Sequence, residues 1–318
     1  MELPDYEFLP PAPRGGRSGW GLFGSEDSLG LMNLIGPEET LAAVQVVRSG
    51  EVIPLNASLS FASPPLFGRA PLALDLQTTA KGRAVEDVYN EFNPSASSQW
   101  DALGHVAYDL DAFYNGASLS DVLNEGRNSI AHLAQKGIAT RGVVLDLESV
   151  ARERDASYSP GTSFSFTVDD LEKARAYAEV TYRQGDIIVL RTGFLRWYRS
   201  LSARDRELVA DARELRACGL EHTERMAEYL WNSHAAAVVA DCPSLEVWPM
   251  DYSAAEFPFG SLHRILLGQF GMWIGELWDL DKLADRCAEI GRHEVLIASA
   301  PLNADGGVSS PANALAIL

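Results

Sequence analysis

The chain has few of the residues that mark a secreted, a membrane-bound or a nucleic-acid-binding protein. It contains three cysteines, Cys218, Cys242 and Cys287. An odd number with no Cys-x-x-Cys pair gives no disulfide framework, zinc knuckle or redox dithiol, and fits a reducing, cytoplasmic setting. Basic residues are also sparse: 26 Lys and Arg stand against 44 Asp and Glu, for a formal net charge of -18. Phosphate backbones and anionic membranes reward Lys and Arg, so neither nucleic acid nor a membrane is an expected partner. No run reaches about 18 uninterrupted apolar residues, and "MELPDYEFLPPAPRGGRSG" has no basic segment leading into an apolar one. Gly-x-Gly-x-x-Gly after a strand, the phosphate-binding Gly-x-x-x-x-Gly-Lys-Ser/Thr, Gly-x-Ser-x-Gly and His-Glu-x-x-His are all missing, which removes the usual support for nicotinamide, P-loop, serine-hydrolase and zincin chemistry. The expected ligand is a small molecule.

What is present describes a globular protein. Hydrophobic residues make up 47% of the 318, and a chain of that length can bury a single large core. Residues 1–20, rich in Pro, Gly and Arg, are expected to form an extended arm against the body or a neighbouring subunit. Residues 21–318 are expected to form one domain, since no linker or repeat divides them. "GPEETLAAVQVVRSGEV" predicts a helix from Pro37 to a stop at Gly50, and "VIPLNASLSF" a strand. "SPPLFGRAPL" reads as a Pro-rich loop bordering a pocket. "SLSDVLNEG" predicts a capped helix and "RGVVLDL" a buried strand. "TVDDLEKARAYAEVTYRQG" predicts a helix with Thr167 and Asp170 as its capping pair, running to Gly185. Strands "DIIVLRTG", "AAAVVADC" and "HEVLIASAPL", with helices at "TERMAEYLWNSH" and "SLHRILLGQFG", complete an α/β alternation.

One polar stretch stands out. "SSQWDALGHV" places Asp101 and His105 four residues apart, so one helical turn or a tight loop can aim a carboxylate and an imidazole at one point. By spacing alone the simpler reading is a surface Asp and a histidine satisfied by a backbone carbonyl. The chain has only five other histidines. His132 and His234 lie by apolar segments, and His222 and His293 among charges; none of these four is expected to act. Asp241 ends a strand, where a turn-initiating role is the simpler reading.

Taken together, "SSQWDALGH", "GVVLDL", "GDIIVLRTGF", "VVADCP" and "LHRILLGQFGMWIGELWDLDKL" resemble, in order and over roughly residues 30–318, the cyclase family that includes bacterial kynurenine formamidases and isatin hydrolase. The resemblance implies a swivelling β/β/α domain, a homodimer or homotetramer, and metal-dependent hydrolysis of an amide, formamide or lactam C–N bond. Of the family signature His-x-Gly-Thr-His-x-Asp-x-Pro-x-His, the Asp falls on Asp101 and the last His on His105, while the first two His fall on Ser95 and Gln99. The downstream metal-binding His and Glu match His263 and Glu276. The implied centre is therefore mononuclear or absent, with Asp101, His263 and Glu276 as ligands of one divalent ion, Mn²⁺ or Zn²⁺, and His105 as the acid/base. Gln99 is either a further ligand or the mark of a lost one. Trp100, Tyr108 and Tyr114 are candidates for the substrate pocket. Ring closure or dehydration in natural-product synthesis, and a binding role on a catalytically silent fold, stay open as alternatives.

Overall fold

The computed structural model describes residues 3–253 and 255–318. Thirteen strands follow one another among these residues: β1 (Val52–Pro54), β2 (Ala73–Thr79), β3 (Ala84–Glu91), β4 (Gln99–Asp101), β5 (Ile138–Asp146), β6 (Ser165–Phe166), β7 (Ile187–Arg191), β8 (Gly219–Leu220), β9 (Ala237–Ala240), β10 (Trp273–Glu276), β11 (Glu294–Ser299), β12 (Ser309–Pro311) and β13 (Ala314–Ile317). Nine of them form one sheet in the order β1-β13-β11-β5-β7-β9-β10-β4-β12. Its centre, β5-β7-β9-β10, is parallel, and every remaining pair is antiparallel. This is the α/β, swivelling β/β/α architecture.

The parallel strands are the ones with unbroken β-branched and aliphatic runs, because both of their faces are covered. Val143, Val144, Leu145, Ile187, Ile188, Val189, Val238 and Val239 are all fully buried. Helices Pro37–Val44, Val168–Tyr177 and Asp281–Ile290 pack against β5. Thr167 and Asp170 form the expected capping box. None of the helices among the described residues is long and apolar enough to cross a membrane.

Several segments are shorter than the sequence predicts. The first helix ends at Val44, ahead of the β-branched pair Val46-Val47, which loses rotamer freedom in a helix. The helix from Val168 ends at Tyr177, where Glu179 turns the chain at φ +53. Strand β1 stops at Pro54, and Asn56 then bonds Ala314 through both its amide nitrogen and its amide oxygen. "SLHRILLGQFG" begins as helix Leu262–Ile265 and widens into a π-helix over Leu266–Phe270.

The hairpin β2–β3 forms a sheet of its own. Register places Leu74 opposite Tyr89 and Thr78 opposite Val85. Leu74, Leu76, Val85 and Tyr89 thus share one face, and all four are exposed. By contrast, residues 3–20 lie on the chain's own body. Leu3, Tyr6, Leu9 and Ala12 are buried, and the Trp231 indole donates to the Pro4 carbonyl at 2.8 Å. Further along, the Gly19 amide donates to Gln269 O at 3.0 Å, and the Trp20 indole to Gly268 O at 2.7 Å.

Candidate metal centre

"SSQWDALGHV" is neither a helical turn nor a plain loop, since its middle is strand β4. Antiparallel pairing with β10 sets Glu276 opposite Gln99, Gly275 opposite Trp100 and Ile274 opposite Asp101. Side chains alternate along a strand, so Gln99, Asp101 and Glu276 emerge on one face and Trp100 on the other. All three polar residues are buried. Trp100 is buried in the core behind them, its indole donating to Ser299 Oγ at 3.0 Å and its ring edge-on to Trp278 at 5.0 Å. The absent side chain at Gly275 makes that packing possible: a Cβ there would meet Val239 at 2.5 Å and the Trp278 indole nitrogen at 2.7 Å.

His263 reaches the same point from the start of its helix. Its position is set by Glu246, a fully buried carboxylate. Glu246 accepts from Ser261 Oγ at 3.1 Å and from the His263 backbone N–H at 3.2 Å, and lies 2.8 Å from His263 Nδ1. With Nδ1 so engaged, Nε2 faces the cluster, 3.2 Å from Glu276 Oε1 and 3.8 Å from Asp101 Oδ2. His105 follows the turn after β4, its backbone N–H donating to Ala102 O at 2.9 Å. Its Nε2 lies 3.8 Å from Asp101 Oδ1. His105, His263 and Glu276 all border one cavity of about 180 Å³, whose wall includes Phe67, Trp248 and Tyr252.

The residues fit a divalent ion. One ligand atom each from Asp101, His263 and Glu276 lie within 4.8 Å of one another. Two oxygens of the cluster, Gln99 Oε1 and Glu276 Oε1, are buried without a hydrogen-bond partner; the 3.2 Å approach of His263 lacks hydrogen-bond alignment. Buried acceptors left unpaired cost about 1–3 kcal/mol each, and a cation facing them removes that cost. Two carboxylates and an imidazole are donors that suit Mn²⁺ or Zn²⁺, and a carboxylate on the far nitrogen of a metal-facing histidine fixes its tautomer and raises its basicity.

Charge is concentrated here. Burial, reinforced by the Asp101 carboxylate, pushes the Glu276 carboxyl up to about 7. Burial also opposes the charge on Asp101, but His105, His263 and Arg69 outweigh it and hold that carboxyl below its usual 3.8. On His263 burial acts downward, and the carboxylates of Glu246, Asp101 and Glu276 overcome it, holding the imidazole well above 6.5. His105 goes the other way: burial, aided by the positive charges of His263 and Arg69, holds it below 6.5 despite Asp101. At neutral pH His105 is the uncharged imidazole, able to accept a proton.

The structure thus brings together Asp101, His263, Glu276, Gln99 and His105. The aromatic candidates are elsewhere. Trp100 is buried in the core. Tyr108 is buried under the N-terminal arm, donating to Gly15 O at 3.0 Å and accepting from the Arg14 N–H at 3.2 Å, and Tyr114 bonds Asp27 at 3.2 Å. Tyr108 and Tyr114 tie down the arm and the neighbouring turns, and none of the three borders the cavity of His105 and His263. The pocket's own aromatics, Phe67, Trp248 and Tyr252, were not among the sequence candidates, and neither were Glu246 and Arg69. Asp241 has a structural role, accepting from the Thr192 and Gly193 backbone N–H groups at 2.6 and 2.8 Å.

Comparison with known proteins agrees with this architecture. The family model named Cyclase matches residues 53–247. The crystal structure of a novel cyclase is similar at 27% identity and TM-score 0.81, with 95% of this chain and 99% of that one covered. Isatin hydrolase A from Labrenzia aggregata, bound to benzyl benzoate, aligns at 16% identity and TM-score 0.60 over 86% of this chain and 94% of its own. Isatin hydrolase A from Ralstonia solanacearum aligns at 19% and 0.57 over 89% and 97%. The two hydrolases share the fold with this chain. Among curated proteins none matches it significantly.

Proposed function

The chain belongs to the Cyclase family, and on that premise we propose that it is a divalent-metal-dependent hydrolase of an amide, formamide or lactam C–N bond in a small aromatic or cyclic molecule. The observation that carries this reading is the buried Asp101–His263–Glu276 cluster with His105 beside it at a narrow, aromatic-walled cavity. Asp101, His263 and Glu276 would hold one Mn²⁺ or Zn²⁺ ion, with Gln99 available to add its amide oxygen. When bound, such an ion polarises a carbonyl and acidifies water. His105 takes the proton from the attacking water and returns it to the leaving nitrogen, a role suited to an imidazole that is neutral at pH 7. Glu246 holds His263 in one tautomer. Phe67 and Trp248 orient a flat ring and keep bulk water from the reacting bond.

The test is direct. The protein, loaded with Mn²⁺ or Zn²⁺, is given formanilide and isatin, with and without a chelator. Hydrolysis that a chelator abolishes and added metal restores is the expected result. Failure to hold near-stoichiometric metal, or hydrolysis indifferent to chelation, overturns the reading. The relative at 27% identity bears the name cyclase, which favours ring closure or dehydration as a second reading. Conversion of a linear precursor without uptake of labelled solvent oxygen would select it.

The exposed apolar face of the β2–β3 hairpin supports a homodimer or homotetramer, because a lone two-stranded hairpin is only marginally stable in water. Sedimentation measurements check this. The three buried, unpaired thiols accord with a cytoplasmic setting.

A further inference from the structure

We infer that Arg69 is the specificity-determining residue of this cavity, and that it holds a carboxylate carried on the aromatic ring of the ligand. The inference deepens the hydrolase reading by naming the class of molecule, an aromatic amide that bears a carboxylate.

Arg69 follows the short 3₁₀ turn Leu66–Gly68 in the Pro-rich loop and borders the same cavity as His105, His263 and Glu276. Its guanidinium is positioned from two sides. The guanidinium carbon sits 5.0 Å from the centre of the Phe67 ring, and one terminal nitrogen donates to the Ser95 carbonyl. Phe67 is itself braced edge-on against Trp248 at 5.0 Å. Arginine stacks well on an aromatic face and keeps its planar fork free for a second partner.

That fork has no protein anion to bind. Among the described residues no carboxylate lies within 4.0 Å of the Arg69 guanidinium, and its Nε and second terminal nitrogen make no hydrogen bond. Four arginines elsewhere do have such a partner: Arg14 pairs with Asp109, Arg141 with Asp186, Arg191 with Asp281 and Arg199 with Asp279. A half-buried cation with unused N–H groups at a cavity wall is a receptor for a carboxylate, which it can engage through two parallel hydrogen bonds. A chain of net charge -18 repels free anions at a distance, so preference for an anionic ligand has to be local. Phe67 and Trp248 supply flat surfaces for the ring that carries the anion.

The experiment measures binding of benzoate and of benzamide to the Mn²⁺-loaded protein by titration calorimetry, in wild type, Arg69→Met and Arg69→Lys. A hydrogen-bonded charge contact contributes about 1.5–3 kcal/mol, or about 10- to 100-fold in affinity. Wild type should therefore prefer benzoate by at least about tenfold, Arg69→Met should lose that preference while holding benzamide unchanged, and Arg69→Lys should recover part of it. Equal binding of the two probes to wild type, or an undiminished preference in Arg69→Met, overturns the proposal. Mn²⁺ stoichiometry and the melting curve confirm that the variants are folded. In parallel, hydrolysis of 2-formamidobenzoate and formanilide is compared. If neither is cleaved but the benzoate preference still disappears in Arg69→Met, the hydrolase reading fails and Arg69 stands. If both are cleaved and Arg69→Met affects them equally, the hydrolase stands and Arg69 falls.

Discussion

Gln99 and Glu276 face each other across the β4–β10 ladder, and the Gln99 amide nitrogen lies 2.7 Å from Glu276 Oε2 and 3.2 Å from Asp101 Oδ1. One amide thereby donates to two buried carboxylates that would otherwise repel each other, while its oxygen has no partner. Gln99→Leu removes the donor but leaves Asp101, His263 and Glu276 in place. One equivalent of Mn²⁺ should still bind, at about 10- to 100-fold weaker affinity, the usual effect of losing a group that orients or supplements the ligands. Calorimetric titration with Mn²⁺ decides it, and unchanged affinity would make Gln99 a bystander.

Loss of a ligand should be more severe. Asp101→Ala or His263→Ala is expected to abolish stoichiometric binding of Mn²⁺ and Zn²⁺ in metal analysis of the purified protein. An ion that binds only the folded chain stabilises it by about 2.7 kcal/mol at a hundredfold excess over Kd. Wild type should accordingly melt at a higher temperature with Mn²⁺ than with chelator, and neither variant should show that difference.

Glu246 can be tested apart from the ligands. Glu246→Gln keeps the shape of the side chain but removes the charge that holds His263. Metal affinity should fall by about 10- to 100-fold, with the fold retained in circular dichroism. Affinity equal to wild type would reduce Glu246 to a brace for the helix start.

His105 should separate chemistry from binding. His105→Ala leaves all three candidate ligands intact, so metal content should match wild type while metal-dependent hydrolysis of formanilide falls by about 10²- to 10⁴-fold, the range for loss of a general acid/base. Undiminished turnover would take His105 out of the proton transfer.

Asp241 gives a pH dependence of stability. Burial pushes its carboxyl up to about 6, above the usual 3.8, despite the bonds from Thr192 and Gly193. Between those two values the folded chain binds the proton more tightly than the unfolded one. The contribution is therefore fully present below about 3.8 and is lost as pH rises through about 6. Asp241→Asn cannot titrate. Relative to wild type, the variant should gain stability in urea unfolding as pH is raised from 4 to 7, and a pH-independent difference would contradict the raised value.

The central strands were legible in the sequence because both of their faces are apolar, and the capping pair Thr167–Asp170 because its chemistry is local. Strand β4 was not: Gln99 and Asp101 turn polar side chains toward a buried site, so the alternation reads as a turn. The hairpin β2–β3 does alternate, at Leu74 and Leu76, but its apolar face is exposed and adds nothing to the core. Asp101, His263 and Glu276 were found through a family signature, whereas Glu246 lies in "CPSLEVW", a segment of no regular period whose role exists only once the chain has folded. Trp100 shows the converse, since an aromatic between two site residues on a strand points to the opposite face.

The N-terminal arm also bears on the order in which the molecule can be completed. Its hydrogen bonds from Gly19 and Trp20 end on Gln269 and Gly268, one turn beyond His263. A chain made from its N-terminus holds the arm long before those partners leave the ribosome, and contacts so distant in sequence form late. A nascent chain halted short of Gly268 has neither the partners of its arm nor Glu276, so the cluster of Asp101, His263 and Glu276 can be assembled only after most of the chain has been made.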